Sequence, residues 1–402
     1  MIRRPGQGTS ATLRRRLGAE RSDRGAVAVT VAVMMVVLVG IGAFTLDFGL
    51  SYASTRQLQT ASDAAALAAA NVFADKTGSC ATILATPAWT AEAANAASAI
   101  REDNRPGSTE AGYTASCTAK GSIQVRYVSA GSTPNLLGGI FGHSGPYATS
   151  RPATAIVSAP SEAVGVRPYA VCGSQLPTVL PSTVFQMTLP STGNSLCPGA
   201  SSSGNWWSID CPEVGSNSNT YLGTATEFGC TDPVSIVPDQ SPRTGSALRT
   251  FLEGSCPAKS SSCLGANSGN LGGTPILQAW NSLVSSHKHI LLPVFCGVPP
   301  CDQAAVVNAG GNNAIYPVQA LLGVVVCGYH FGGQDSTALG MTGECAGPTN
   351  NPSSLTPSTG GNQDNYLLLK AVKMRVAGSS DESDCALGST CDLQQRQVYL
   401  IE

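Results

Sequence analysis

The chain has 402 residues, with 23 Lys and Arg against 25 Asp and Glu, for a formal net charge of −2. Charged residues make up 12%, roughly half the usual share for a soluble protein, while 44 Gly and 25 Pro mark a chain rich in turns. The balanced charge gives no electrostatic case for a nucleic-acid partner, and the length allows two domains beyond an anchor.

Residues 1–24 form a basic leader in which Arg3, Arg4, Arg14, Arg15, Arg16, Arg21 and Arg24 outweigh Glu20 and Asp23. Residues 25–48 follow as a predicted transmembrane helix. From Ala26 to Leu46 the run AVAVTVAVMMVVLVGIGAFTL carries no charge and no proline, and at ~1.5 Å per residue it extends about 31 Å, enough to cross a bilayer core. A cleaved secretory signal has only about 7 to 15 apolar residues, so a signal anchor is the better reading. The arginines place the N-terminus in the cytoplasm and everything after Phe48 outside, as a single-pass cell-membrane protein.

Residues 49–76 continue as an alanine-rich helix. Leu58, Ala61, Ala65, Ala68 and Val72 recur at alternating steps of three and four, on one side of that helix. This stripe of small residues admits close approach, either onto the protein's own ectodomain or against a partner subunit or second copy. On the second reading Ala65 lies in the contact and Ala66 outside it.

Residues 77–160 read as a small extracytoplasmic α+β unit. A helix from Thr90 to Asn104 is stopped by Arg105-Pro106-Gly107, and apolar-alternating strands follow at Ser122 to Val128 and Ala153 to Ser158. Beyond the linker Ala159-Pro160-Ser161, residues 161–402 read as a larger β-rich, cysteine-containing ectodomain. Its strands are expected at Tyr169 to Cys172, Val184 to Leu189, Trp206 to Ile209, Val234 to Val237, His289 to Cys296, Gln319 to Cys327 and Gln397 to Ile401. Helices are expected at Gly245 to Glu253 and Thr274 to Ser285. The uncharged run from Ala314 to Phe331 contains Pro317, Gln319 and His330 and reads as buried strand rather than a second span. The fold class is therefore α+β, with one membrane helix prolonged outward.

None of the 14 cysteines lies before Cys80, so every thiol falls in the exported part, where disulfides are expected. Zinc would require short Cys-x-x-Cys pairs or histidine partners, which are lacking. Locally spaced candidates are Cys256 with Cys263, Cys296 with Cys301, and Cys385 with Cys391; Cys80 with Cys117 and Cys197 with Cys211 are weaker. Spacing alone does not decide connectivity.

The search for chemistry nominates no catalytic, cofactor-binding or metal-binding residue. Gly142-His143-Ser144-Gly145-Pro146 fits neither a nucleophile elbow nor a triad, and its residues are ordinary turn formers. His287 and His289 alternate along a strand start but lack a third ligand. Asp381, Glu382 and Asp384 lack calcium-loop spacing and read as a solvated loop. No enzyme, cofactor or small-molecule substrate is expected.

Gly25 to Ala70 closely resembles the N-terminal domain of TadE/TadG-like Flp pilus-assembly proteins, residues 24–70 carrying the likeness. The motifs are Arg24-Gly25, Asp47-Phe48-Gly49, Tyr52, Arg56-Gln57-Leu58-Gln59 and the Asp63 to Ala70 alanine block. Pilin-like members that are cleaved carry glutamate at the fifth position after the glycine; Thr30 stands there, so the resemblance does not carry cleavage over. No Asp-x-Ser-x-Ser metal triplet of a von Willebrand A-like domain occurs either. The stretches VRPYAVCGSQLP, HILLPVFCG and GVVVCGYHF resemble the ectodomain of actinobacterial TadG-related proteins. The resemblance implies a membrane-anchored structural or assembly component of a Tad (Flp) pilus or secretion apparatus in the bacterial envelope. Its partners would be the membrane, other subunits of that apparatus or further copies. An anchored adhesin, with Trp206 and Trp207 in its contact loops, is the alternative.

Overall fold

The computed structural model describes residues 11–135, 145–173, 176, 183–188, 208–214, 218–237, 245–267, 272–295, 313–331, 334–335, 342–346, 366–378, 381–389 and 391–401. The first element, α1, runs unbroken over Ala11–Ala74, 64 residues, so the apolar segment and the alanine-rich segment are one helix. Its part Val27–Ala74 is long and apolar enough to cross a membrane. Two polar side chains along it are satisfied within the helix: Thr45 Oγ1 donates to Ile41 O at 2.8 Å, and Asn71 Nδ2 to Leu67 O at 2.9 Å. A helix can thus carry them without opening its backbone ladder.

Two helices follow, α2 (Cys80–Leu84) and α3 (Pro87–Asn104), then strands β1 (Thr109–Cys117), β2 (Ile123–Thr133) and β3 (Tyr147–Ser158). Further along come β4 (Glu162–Ala163), β5 (Val171–Cys172), β6 (Phe185–Thr188), α4 (Asn219–Phe228), β7 (Val234–Ser235), α5 (Gly245–Ser255), β8 (Cys263–Gly265) and α6 (Thr274–Ser286). The chain closes with β9 (His289–Phe295), β10 (Ile315–Pro317), β11 (Ala320–Phe331), β12 (Gln334–Asp335), β13 (Tyr366–Ala371) and β14 (Gln397–Ile401). The molecule is α+β, with a long apolar N-terminal helix and a larger β-rich region holding several disulfides.

Two compact units divide the chain. One comprises Met1–Ser62, Arg101–Ala111 and Val128–Pro152; the other comprises Asp63–Ile100, Gly112–Tyr127 and Ala153–Glu402. Strands β1-β2-β3-β14 form a sheet in that order, with β14 antiparallel to β3 and Val398 opposite Val157. The last described strand of the chain is therefore paired with a strand laid down more than two hundred residues earlier.

The second unit holds two large clusters. In one, the end of α1, α2, α3 and the sheet bury Phe73, Ile83, Ile123, Val125 and Tyr127. In the other, a six-stranded sheet of order β5-β9-β11-β13-β6, with β12 on β11, is covered by α6, whose fully buried Trp280 stands 4.9 Å from the Tyr169 ring and 5.7 Å from that of Phe331. Nearly every residue of β11 is buried, as its continuous apolar sequence requires of a central strand.

Helix α4 was not expected from sequence, because Gly223 and three threonines weaken its helical signal. Gly223 has a packing reason: a Cβ there would stand 2.8 Å from Pro275 Cβ on α6. At its other end Gly229 takes φ +91°, and a Cβ would meet the carbonyl oxygen of Gly165 at 2.2 Å. Buried Arg167 completes that end. Its guanidinium donates to Thr226 O at 3.0 Å, Glu227 O at 2.7 Å and Phe228 O at 3.1 Å, carbonyls that a helix terminus leaves without partners. Burial pulls its pKa down to about 10, against the opposing pull of Glu227.

Candidate functional site

The candidate site is α1 from Asp47 to Val72. In the first unit, Leu58 and Ala61 are buried, and Leu58 Cδ2 lies 3.3 Å from where a Cβ on Gly131 of β2 would stand. Ser62 Oγ donates to Arg151 O on β3 at 2.6 Å and accepts from Ser129 N on β2 at 3.1 Å, so one hydroxyl ties both strands to the helix. Gln59 Nε2 reaches Pro152 O at 3.2 Å. Arg105, just past α3, donates through Nη2 to Ser54 Oγ at 2.6 Å and through Nη1 to Ser54 O. Burial lowers its pKa from the usual arginine value.

In the second unit, Ala65, Ala66, Ala69, Ala70 and Phe73 of α1 enter the same cluster as Ala93 and Ala97 of α3. These residues of α1 are thus buried within the protein's own fold. The expected stripe is thereby corrected in its orientation: Ala66, placed off it by sequence, is as buried as Ala65, whereas Ala68 and Val72 are only half-buried. The buried face over these residues is wider than an i, i+3, i+4 ridge. The helix ends at a basic clamp: Arg375 Nη2 donates to Asn71 O at 2.8 Å and to Asp75 Oδ1 at 2.6 Å, and Lys373 Nζ to Asp75 O at 2.8 Å. Cations at a helix C-terminus face the negative end of its dipole. Sequence periodicity could not have found Ser54, Ser62, Arg105, Lys373 or Arg375.

Nearer the apolar part of α1, Asp47 and Ser54 are buried, while Gly49, Tyr52 and Arg56 are exposed, with the Arg56 guanidinium 5.6 Å from the Tyr52 ring centroid. Asp63 is half-buried.

Disulfides join Cys80 to Cys117, Cys256 to Cys263, Cys385 to Cys391 and Cys327 to Cys345. Cys211 bonds Cys230, not Cys197 as its spacing had suggested, because the turn after β-bridge residue Ile209 faces the end of α4. Cys197, Cys296 and Cys301 lie outside the described residues, as do Trp206, Trp207, His143 and Ser144.

Other chemical candidates resolve into structural contacts. His289 Nε2 lies 3.0 Å from Glu344, while His287 caps α6 at φ 50°. Lys120 pairs with Asp384 at 2.8 Å and donates to Glu382 O at 3.0 Å. Cys211, Glu213 and Cys230 cluster with metal-like spacing, but the two sulfurs are already bonded to each other and offer no thiolate. Glu213 instead accepts from Tyr221 OH and from Thr231 N at 2.8 Å. A cleft of about 150 Å³ beside them is crossed by the Lys259 and Asp210 ion pair at 3.0 Å.

Compared with known proteins, residues 25–72 match a family described as putative Flp pilus-assembly TadE/G-like. No curated protein and no solved structure matches the chain.

Proposed function

We propose that the protein is a membrane-anchored structural component of a Flp-type pilus or secretion assembly. The match over residues 25–72 coincides with the part of α1 that changes from lipid-suited to ectodomain-docked surface, and this coincidence carries the reading. The large exposed side chains from Val27 to Phe48 suit a bilayer, and within the second unit Ala65, Ala66, Ala69 and Ala70 are buried in the fold. The basic leader supports a cytoplasmic N-terminus and the disulfides support an oxidising exterior for the rest. No catalytic role belongs to this reading, whose partners are the membrane and other subunits of the assembly.

Copurification tests it. The tagged full-length protein, extracted from its native membrane in mild detergent, is expected to bring pilus or secretion subunits with it. Recovery of the protein alone, together with binding of cells or glycans by the detergent-solubilised full chain, would favour an adhesin instead.

A further inference from the structure

We propose that the outer boundary of the bilayer lies between Leu50 and Tyr52 rather than at Leu46, and that Phe44, Phe48, Tyr52 and Arg56 form a lipid-contacting ridge whose guanidinium meets headgroup phosphates. The inference rests on α1 being a membrane anchor. In sequence the apolar run stops at Asp47, because a carboxylate facing lipid is costly. In the structure that carboxylate does not face outward: Asp47 is 8% exposed and Ala43, one turn earlier, 6%.

The other side of the same turns stays open. Phe48 is 65% exposed and Tyr52 57%, and Phe44 is exposed with them. Phe44, Phe48, Tyr52 and Arg56 follow at four-residue steps on one ridge, with the two phenylalanine rings stacked at 6.1 Å and Arg56 over Tyr52 at 5.6 Å. Along the ridge apolar rings give way to a phenol and then a cation, the order in which a bilayer changes from hydrocarbon to headgroup. In water the ridge would be bare apolar surface. Leu50 and Arg56 are separated by about 9 Å along the axis, and a headgroup layer is roughly 5 to 7 Å deep, a difference a snorkelling arginine spans. Val27 to Leu50 measures about 36 Å. Fitting it into a core of about 30 Å takes a tilt of roughly 35°, inside the range that membrane helices adopt.

Depth-dependent quenching of tryptophan in the full-length protein, reconstituted into phosphatidylcholine vesicles containing phosphatidylglycerol, tests the boundary. Val36→Trp, Leu50→Trp and Gln57→Trp are compared, each over the wild-type background emission. Lipids brominated on the acyl chain are expected to quench the added emission at positions 36 and 50 and to spare position 57. A nitroxide on the lipid headgroup is expected to quench position 57, and less so once Arg56→Gln is added. Quenching at 36 without quenching at 50 would place the boundary at Leu46 and overturn the proposal while leaving the anchor intact. Absence of quenching at 36 would overturn the anchor itself. If Phe48→Trp is shielded and crosslinks to a second chain, the ridge serves self-association and the lipid assignment is wrong. Headgroup quenching at 57 unaltered by Arg56→Gln would remove the phosphate contact.

Discussion

At the residue scale, the alanine pair on α1 makes the sharpest test. Ala65 and Ala66 are both fully buried, so Ala65→Glu and Ala66→Glu each force a carboxylate and added volume into a close-packed contact. Each is expected to lower stability by at least about 3 kcal/mol. Ala68→Glu, at a half-buried position, is expected to cost under about 1 kcal/mol. Thermal unfolding in detergent checks the ranking, and a mild Ala66→Glu would contradict the docking face. Glu213 supplies a pH test: burial raises its pKa, but donation from Tyr221 OH and Thr231 N outweighs burial and holds it below the ordinary glutamate value. A carboxyl lowered in the folded state stabilises above its unfolded pKa, about 4.3, and loses that contribution as pH falls through the folded value. Melting temperature measured downward from pH 6 is therefore expected to fall less steeply in Glu213→Gln than in wild type.

At the scale of the element, α4 depends on what closes its C-terminal end. Gly229→Ala would combine a disfavoured φ of +91° with a clash against backbone at Gly165, which has no flexible end to move aside. Arg167→Met would leave the carbonyls of Thr226, Glu227 and Phe228 without their donor, that of buried Thr226 among them. Each is expected to cost roughly 2 to 4 kcal/mol, and chemical denaturation of the two variants checks it. Near-wild-type midpoints would mean that α4 is held by its packing on α6 alone. Helix α4 was illegible in the sequence for a related reason: the glycine that weakens its propensity is the one that lets α6 approach. By contrast α1, α5 and α6 carry strong periodic or apolar signals, and the structure has helices at all the expected places.

At the scale of the whole molecule, the disulfides divide by the length of chain they close. Cys80 and Cys117 are separated by 37 residues, Cys385 and Cys391 by 6. Loop-entropy loss predicts that removing the first costs about 4 kcal/mol and the second about 2. Paired Cys→Ser variants, compared by denaturant midpoint, give the ranking, and the reverse order would mean that native contacts rather than chain entropy set it. Orientation is tested separately. An exterior-active reporter fused after Glu402 is expected to be active, and activity only at Met1 would reverse the topology.

The sequence by itself determined the apolar span, its continuation as helix and the family likeness of residues 25–72, because each is a local signal carried by composition or periodicity. It also nominated the close cysteine pairs, where few residues separate the partners. Only the tertiary structure decided that Cys211 turns to Cys230, that β14 pairs with β3, and that Ala66 joins Ala65 inside the fold. It alone turned Asp47 inward and left Phe48 and Tyr52 outward. Those outcomes depend on which distant segments meet, and a stretch of chain carries no periodic trace of a neighbour that lies hundreds of residues away.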